Sequence, residues 1–406
     1  MRIAGIVAEY NPFHNGHAYL IEQLRDIRGT GGTHVVAVMS GNYVQRGEPA
    51  LLPKEERVRM ALAGGVDLVV ELPVPYVLSS AEGFAGGAVA LLDALGCVDV
   101  LGFGSECGDA EELAKVAAWL DKPEFLSRMR FHLEGGVSYA EARQKALREL
   151  TGRAADLLSG ANNTLGIEYI RALSRLDSPM KPCTVSRRGA AHDAAAPTGS
   201  TASASYLRGL LAEGRLRGAE PYMPPEAFRI LTEATAKGVC PADPAKAERA
   251  LLYRLRSMSL EDMAALPGIS EGLEHRLYKA ARAAGSVAEL TDMVKTRRYP
   301  ATRIRRLLWA AYAGVTAEDK LNTPPYLRVL GLNHRGEEIL AAAKAAGVYR
   351  QRGVSLLTRS PQIDALPTAA KRLFTRECAA DDLYDLTLPT PRPCGSDYTA
   401  GMIRGE

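Results

Sequence analysis

The run Gly5-Ile6-Val7-Ala8-Glu9-Tyr10-Asn11-Pro12-Phe13-His14-Asn15-Gly16-His17 opens as an apolar, β-branched stretch and closes on two histidines that flank a glycine. If the apolar part is the first strand of a parallel sheet, His14 and His17 fall at the strand-to-helix turn. Ligands of open parallel sheets bind there, and a helix N-terminus offers free N–H groups with about half a positive charge. Pro12 sets the turn, Gly16 lets the backbone approach a ligand, and imidazole N–H groups donate to phosphate oxygens. Such a donor set suits a nucleoside triphosphate. The same histidines could instead be structural, ordinary turn residues, or half of a metal site with Glu9. Their place directly after a first strand favours the nucleotide, so no protein-bound metal is expected.

Other chemistries lack their residues. No G-x-x-x-x-G-K-[ST] occurs, which argues against a P-loop enzyme. Gly102-Phe103-Gly104 is followed by Gly108, one residue late for a dinucleotide fingerprint, and it follows the fourth strand rather than the first. There is no G-x-S-x-G and no H-E-x-x-H, so neither a serine nucleophile nor a zinc-protease site is indicated. Nucleotidyl transfer from a bound triphosphate needs no covalent nucleophile, only donors that tighten on the developing charge, each worth roughly 10² to 10³ in rate. Mg2+ is expected to accompany the triphosphate.

The segment Asn11-Pro12-Phe13-His14-Asn15-Gly16-His17 resembles the H-x-G-H signature of the nucleotidyltransferase superfamily, and with its flanks it resembles the bacterial tRNA(Met) cytidine acetate ligase family. Four further places support the resemblance: Ser40-Gly41-Asn42-Tyr43 with Gln45-Arg46-Gly47-Glu48-Pro49-Ala50, Gly102 to Glu106, Asn162-Asn163-Thr164-Leu165-Gly166, and Arg187-Arg188-Gly189 before His192-Asp193. The family carries His14 and His17 over as catalytic, and places Val7, Ala8, Glu9, Tyr10, Asn11, Pro12, Phe13, Asn15, Gly16, Ala18, Tyr19, Leu20 and Gly102 with them at ATP. It also assigns ATP contacts to one of Asn162 and Asn163 and one of Arg187 and Arg188. Ser203-Ala204-Ser205-Tyr206-Leu207-Arg208 resembles the superfamily's second, serine-rich phosphate loop, with Ser205 and Arg208 as ligands; helix capping by either serine is the competing role. Leu20 stands where relatives commonly carry a further histidine. The implied reaction makes acetyl-adenylate and pyrophosphate from ATP and acetate, then moves the acetyl group to the wobble cytidine of elongator tRNA(Met).

The elements that must hold these residues follow from periodicity. Ile3 to Glu9, His34 to Ser40, Leu68 to Leu72 and Val98 to Phe103 read as buried strands, with a fifth at Cys183 to Arg187. Helical spacing fills Ala18 to Arg28, Lys54 to Ala63, Ser80 to Leu95, Glu111 to Leu120, Tyr139 to Leu150 and Leu165 to Leu176. The alternation predicts a Rossmann-like α/β domain with a parallel sheet over residues 1–236. Breakers between Thr235 and Ala247 suggest a connection to a mainly helical C-terminal domain over 245–406, with a small strand-helix-strand unit at Tyr326 to Thr358.

Partners are read from charge. The net charge of +3 says little by itself, but Lys295, Arg297, Arg298, Arg303, Arg305 and Arg306 fall within one short segment without a carboxylate. Leu266 to Leu273 resembles the hairpin between helices that presents backbone N–H groups to nucleic acid. Together they predict an RNA surface; a solvated helix face is the alternative. No apolar run is long enough to cross a membrane, the apolar stretch before Glu9 is too short for an export signal, and six cysteines without a C-x-x-C pair suit a reduced cytoplasm. Two other functions stay open: an adenylyltransferase acting on a small phosphorylated metabolite, and an RNA-binding protein that senses nucleotide. Oligomeric state is not legible.

Overall fold

The computed structural model describes residues 1–27, 29, 32–187 and 196–405; Arg188, His192 and Asp193 lie outside the described residues. The strands are β1 (Ile3–Ala8), β2 (His34–Ser40), β3 (Tyr43–Val44), β4 (Glu48–Pro49), β5 (Leu68–Leu72), β6 (Val100–Ser105), β7 (Lys181–Ser186), β8 (Tyr326–Leu332), β9 (Ser355–Leu357) and β10 (Ile403–Arg404). The helices that build the site's floor are α1 (Asn15–Arg25), α2 (Lys54–Ala63), α3 (Val74–Val77) and α4 (Ala81–Leu95).

The main sheet runs β10-β8-β5-β2-β1-β6-β7, with β9 on β8, while β3 and β4 form a separate antiparallel hairpin. From β5 to β7 the strands are parallel, and every residue of β2 and β5 is buried, as strands covered on both faces require. The chain lays β2 and β5 to one side of β1 and then returns to place β6 on the other. The crevice above the carboxyl ends of β1 and β6 is therefore the switch point where such sheets bind ligands.

The expected strands form with small shifts at their ends, and α2 spans the residues expected of it. Helix α1 differs: it begins at Asn15 instead of Ala18, because His14 caps it with its ring. Capping signals are read from Ser, Thr, Asp and Asn, so an imidazole cap is invisible to that rule. The strand-helix-strand unit also forms, as β8, helix His334–Ala346 and β9, but it extends the N-terminal sheet instead of belonging to the helical half. Strand β8 pairs antiparallel with β5, and all its residues are buried.

A buried charge cluster welds that junction. Lys54 donates to Glu71 Oε1 at 2.6 Å, to Asp397 Oδ2 at 2.8 Å and to Asp381. Arg328 reaches from β8 to Glu71 Oε2 at 2.9 Å and takes both carboxylate oxygens of Asp397, at 2.8 and 2.9 Å. Glu377 joins from helix Thr368–Tyr384, accepting the Val74 N–H at 2.7 Å. Four carboxylates thus face two cations. Burial, helped by the charge of Glu71, pushes the Glu377 carboxyl up to about 8.

Removing one partner of a buried ion cluster leaves charges without compensation, at a cost of about 3–5 kcal/mol. Lys54→Met should therefore lower the unfolding free energy read from chemical denaturation by an amount in that range. A shift below about 1 kcal/mol would show that the cluster does not hold the two halves together.

Candidate active site

A cavity of about 650 Å³ opens at the switch point. Its centre is the start of α1. There the His14 ring turns back so that its Nδ1 accepts the Gly16 N–H at 3.0 Å, while His17 Nδ1 accepts the His14 N–H at 3.2 Å. This is a capping box made of two histidines. Because each Nδ1 is an acceptor, each ring carries its proton on Nε2. The rings lie stacked, with centroids 3.8 Å apart, so the two Nε2–H groups form a paired donor set.

Neighbours fix this arrangement. A Cβ at Gly16 would fall 2.9 Å from His14 Cε1, so glycine is needed to make room for the capping ring. His17 meets Tyr10 edge-on at 5.0 Å between centroids and Phe13 at 5.5 Å. Tyr10 holds this position with φ at +47°, a strained conformation for a residue with a side chain. Burial, with the adjacent His14 and Arg187, holds the His17 pKa well below its ordinary 6.5, so its ring is neutral at pH 7.

Second-loop residues close the phosphate side. Ser203 is the cap of helix Ala204–Ala212, its Oγ accepting the Tyr206 N–H at 3.0 Å, which fulfils the capping alternative for that serine. Ser205 accepts from Arg208 at 3.2 Å, and Arg208 also donates to the Asn11 carbonyl at 3.0 Å. Asn15 ties α1 to the neighbouring loop through the Ser200 carbonyl at 2.8 Å. The asparagine pair divides its work. Asn163 is buried and accepts from the Glu106 and Cys107 N–H groups, whereas Asn162 lines the cavity and accepts from Arg187 at 3.3 Å.

Of the expected ATP residues, Val7, Ala8, Glu9, Tyr10, Asn11, His14, Asn15, Gly16, His17, Tyr19, Leu20, Asn162, Arg187, Ser205 and Arg208 line the cavity together. Pro12, Phe13, Ala18 and Gly102 are not in its wall. Phe13 is fully buried beneath Gly64. A Cβ at Gly102 would run into Leu24 of α1, so this glycine serves helix-on-sheet packing. Sequence reasoning gave no role to wall residues Val44, Gln45, Arg46, Glu48, Phe84, Phe103, Leu165 and Tyr169. The family-like segments containing Gln45 and Glu48, Phe103, and Leu165 were the available signals for this wall.

The basic segment lies beside the same wall. Gly47, at φ +77°, packs so tightly on the backbone of Arg305 and Arg306 that a Cβ has no room. Arg298 pairs with Glu271 at 3.3 Å, and Arg303 donates to the Gly268 carbonyl at 2.8 Å, fastening the expected hairpin between helices. Among the described residues no carboxylate pairs with Lys295, Arg297, Arg305 or Arg306. Arg305 Nε is buried without a hydrogen-bond partner. Burial and the neighbouring Arg303 and Arg305 push Arg306 down to about 10.

A parallel sheet with a histidine-capped helix at its switch point defines a nucleotidyltransferase, and a family model described as HIGH Nucleotidyl Transferase matches residues 1–397. The chain is 36% identical over 420 residues to the tRNA(Met) cytidine acetate ligase of Acetivibrio thermocellus, covering 99% of this chain and all of that protein. Identity to the ligase of the same name from Thermoanaerobacter sp. is also 36%, over 410 residues and the full length of both. The crystal structure of apo TmcAL from Thermotoga maritima superposes with a TM-score of 0.92 at 32% identity, covering 100% of this chain and 99% of that one. TmcAL bound with alpha-thio ATP gives 0.89 at 31% identity, with the same coverage of each chain. The chain belongs to the tRNA(Met) cytidine acetate ligase family.

The paired donors set an expectation for substitution. His17→Ala should lower pyrophosphate release from ATP by roughly 10²- to 10³-fold, the cost of one oxyanion donor, with the far-UV spectrum unchanged. His17→Asn, which keeps an N–H donor, should fall between that variant and the unsubstituted chain. Undiminished release by His17→Ala would remove this ring from the chemistry.

Proposed function

We propose that the chain is an ATP-dependent ligase that activates acetate as acetyl-adenylate, releases pyrophosphate, and passes the acetyl group to N4 of the wobble cytidine in elongator tRNA(Met). The paired Nε2–H donors at the switch-point cavity carry this reading, supported by full-length similarity to ligases of that name.

An acetate oxygen attacks the α-phosphorus, and the bond to the bridging oxygen of pyrophosphate breaks. Negative charge grows on the phosphoryl oxygens as it does so. The Nε2–H groups of His14 and His17 are already turned and need no reorganisation, which is where such donors gain most. Ser205 and Arg208 hold the outer phosphates, and Asn162 with Arg187 holds the nucleoside side. Mg2+ would ride on phosphate oxygens and offset their charge.

The RNA lies along the basic segment, with Lys295, Arg297, Arg305 and Arg306 free for phosphates and Arg298 and Arg303 at its edge. No described helix is long and apolar enough to cross a membrane, and a tRNA substrate goes with work in the cytoplasm.

Two measurements test the reading. With ATP and unmodified tRNA(Met), N4-acetylcytidine should appear only when acetate is present; formation from acetyl-CoA alone would assign a different acetyl donor. Replacing Arg297, Arg305 and Arg306 together by Gln should weaken tRNA binding at least tenfold at moderate salt. It should also flatten the dependence of log K on log salt by about 0.7–0.9 per lost contact. An unaltered slope would take the RNA away from this segment.

A further inference from the structure

The cavity wall holds more than the histidine pair. Phe84 of α4, Phe103 and Tyr169 line it together with Val44, Gln45 and Glu48 of the β3–β4 hairpin, and Glu9 stands at the carboxyl end of β1. Phe103 and Tyr169 are packed edge to face, with centroids 5.7 Å apart. Glu9 Oε1 accepts the Gln45 N–H at 2.6 Å, while its second oxygen has no hydrogen-bond partner among the described residues. Arg57 and Arg208 lie near enough to be felt by the carboxylate, but neither forms an ion pair with it. A carboxylate repels a triphosphate, so this oxygen is matched to something that donates.

Resting on the RNA-acetylating reading above, we propose that this corner is the pocket for the acceptor cytosine, and that Glu9 accepts a hydrogen bond from its N4 amine and then takes the proton. A carboxylate is the usual acceptor for cytosine N4–H₂, and a base taken out of its stack is commonly held between aromatic and apolar side chains. Uracil would turn its O4 acceptor toward the same carboxylate and be repelled. The approach is in place as well. The β3–β4 hairpin forms one wall of this corner and packs through Gly47 on the backbone of Arg305 and Arg306. A strand whose phosphate rests on those arginines has its base one hairpin away from Glu9.

The step balances as follows. The N4 lone pair forms a bond to the acetyl carbonyl carbon of acetyl-adenylate. The bond from that carbon to the AMP oxygen breaks, and AMP leaves with the electron pair. The amine proton passes to Glu9 and on to water. General-base help of this kind is worth roughly 10² to 10⁴ in rate.

The groups facing Glu9 are Arg57 from α2, Arg208 from helix Ala204–Ala212, Glu48 from the hairpin and Tyr169 from helix Ala161–Arg175. Burial raises the Glu9 pKa above its ordinary 4.5. The deprotonated form is the active one, so transfer declines as pH falls through that raised value.

The test uses the full chain with ATP, acetate and tRNA(Met), and reads two steps separately. Acetate-dependent exchange of pyrophosphate into ATP, without RNA, reports activation. Single-turnover acetylation at several pH values reports transfer. Glu9→Gln should lower transfer at least a hundredfold beyond any fall in exchange and erase its acid limb, whereas Glu9→Asp should keep that limb. Transfer by Glu9→Gln at the unsubstituted rate, or equal losses in both steps, would overturn the assignment. A failure of the unsubstituted chain to acetylate RNA would overturn the ligase reading along with it.

Discussion

A single guanidinium sets the geometry at the head of the sheet. Arg57 of α2 is wholly buried and forms no salt bridge among the described residues. Its hydrogens go to carbonyls: Glu9 at 2.6 Å, Leu52 at 3.1 Å, Ser40 at 3.2 Å, and Gly41. Burying an unpaired cation is tolerable only when hydrogen bonds replace its water, and here the fork of the side chain ties together the ends of β1 and β2 and the loop before α2. Lysine, with one nitrogen, could not span acceptors spread over three segments. Because Glu9 follows the last residue of β1 and the histidine turn follows Glu9, the placement of both in the cavity wall depends on this one group.

The C-terminal half holds the same loops from behind. Tyr43 donates to the Ala380 carbonyl at 2.9 Å, Tyr384 donates to the Ala50 carbonyl at 2.9 Å, and Glu377 takes the Val74 N–H. These bonds flank the β3–β4 hairpin, whose other side rests on Arg305 and Arg306. One hairpin is therefore anchored by the C-terminal helix, lines the nucleotide cavity and carries the basic segment. On the proposed reading, RNA bound on that segment lies one hairpin away from the cavity.

Legibility followed locality. Strands β2 and β5 and helix α2 were visible because their patterns are self-contained, and the H-x-G-H turn was visible because its chemistry lies in consecutive residues. The cap on α1 was misplaced because an imidazole did the work of a small polar side chain. Gly102 was placed at the ligand by resemblance, but its missing side chain is used by Leu24, a contact between residues far apart in the chain. The division between Asn162 and Asn163 turns on which of two adjacent side chains satisfies the Glu106–Cys107 backbone, and adjacent positions on a helix carry no mark of that. Phe84 and Tyr169 read as core residues because by burial they are core residues; only the fold shows that their edges reach a cavity.

The histidine cap explains why this site differs from a simple helix N-terminus. Backbone N–H groups at a helix start bind phosphate directly, but here the Gly16 N–H is already taken by His14. On the proposed reading the donor function passes to the Nε2–H of each ring, and both rings line the cavity. Neutral rings add a further property. A protonated imidazole would attract the ground-state triphosphate as strongly as it steadied the reaction, and uniform binding of that kind does not raise the rate at saturation. On the proposed reading the His17 ring, kept neutral by burial and by its imidazole and cationic neighbours, gives most where charge is newly formed. The same packing that makes the ring hard to protonate fixes its direction, so the cost of orienting the donor is met when the chain folds and not when the substrate reacts.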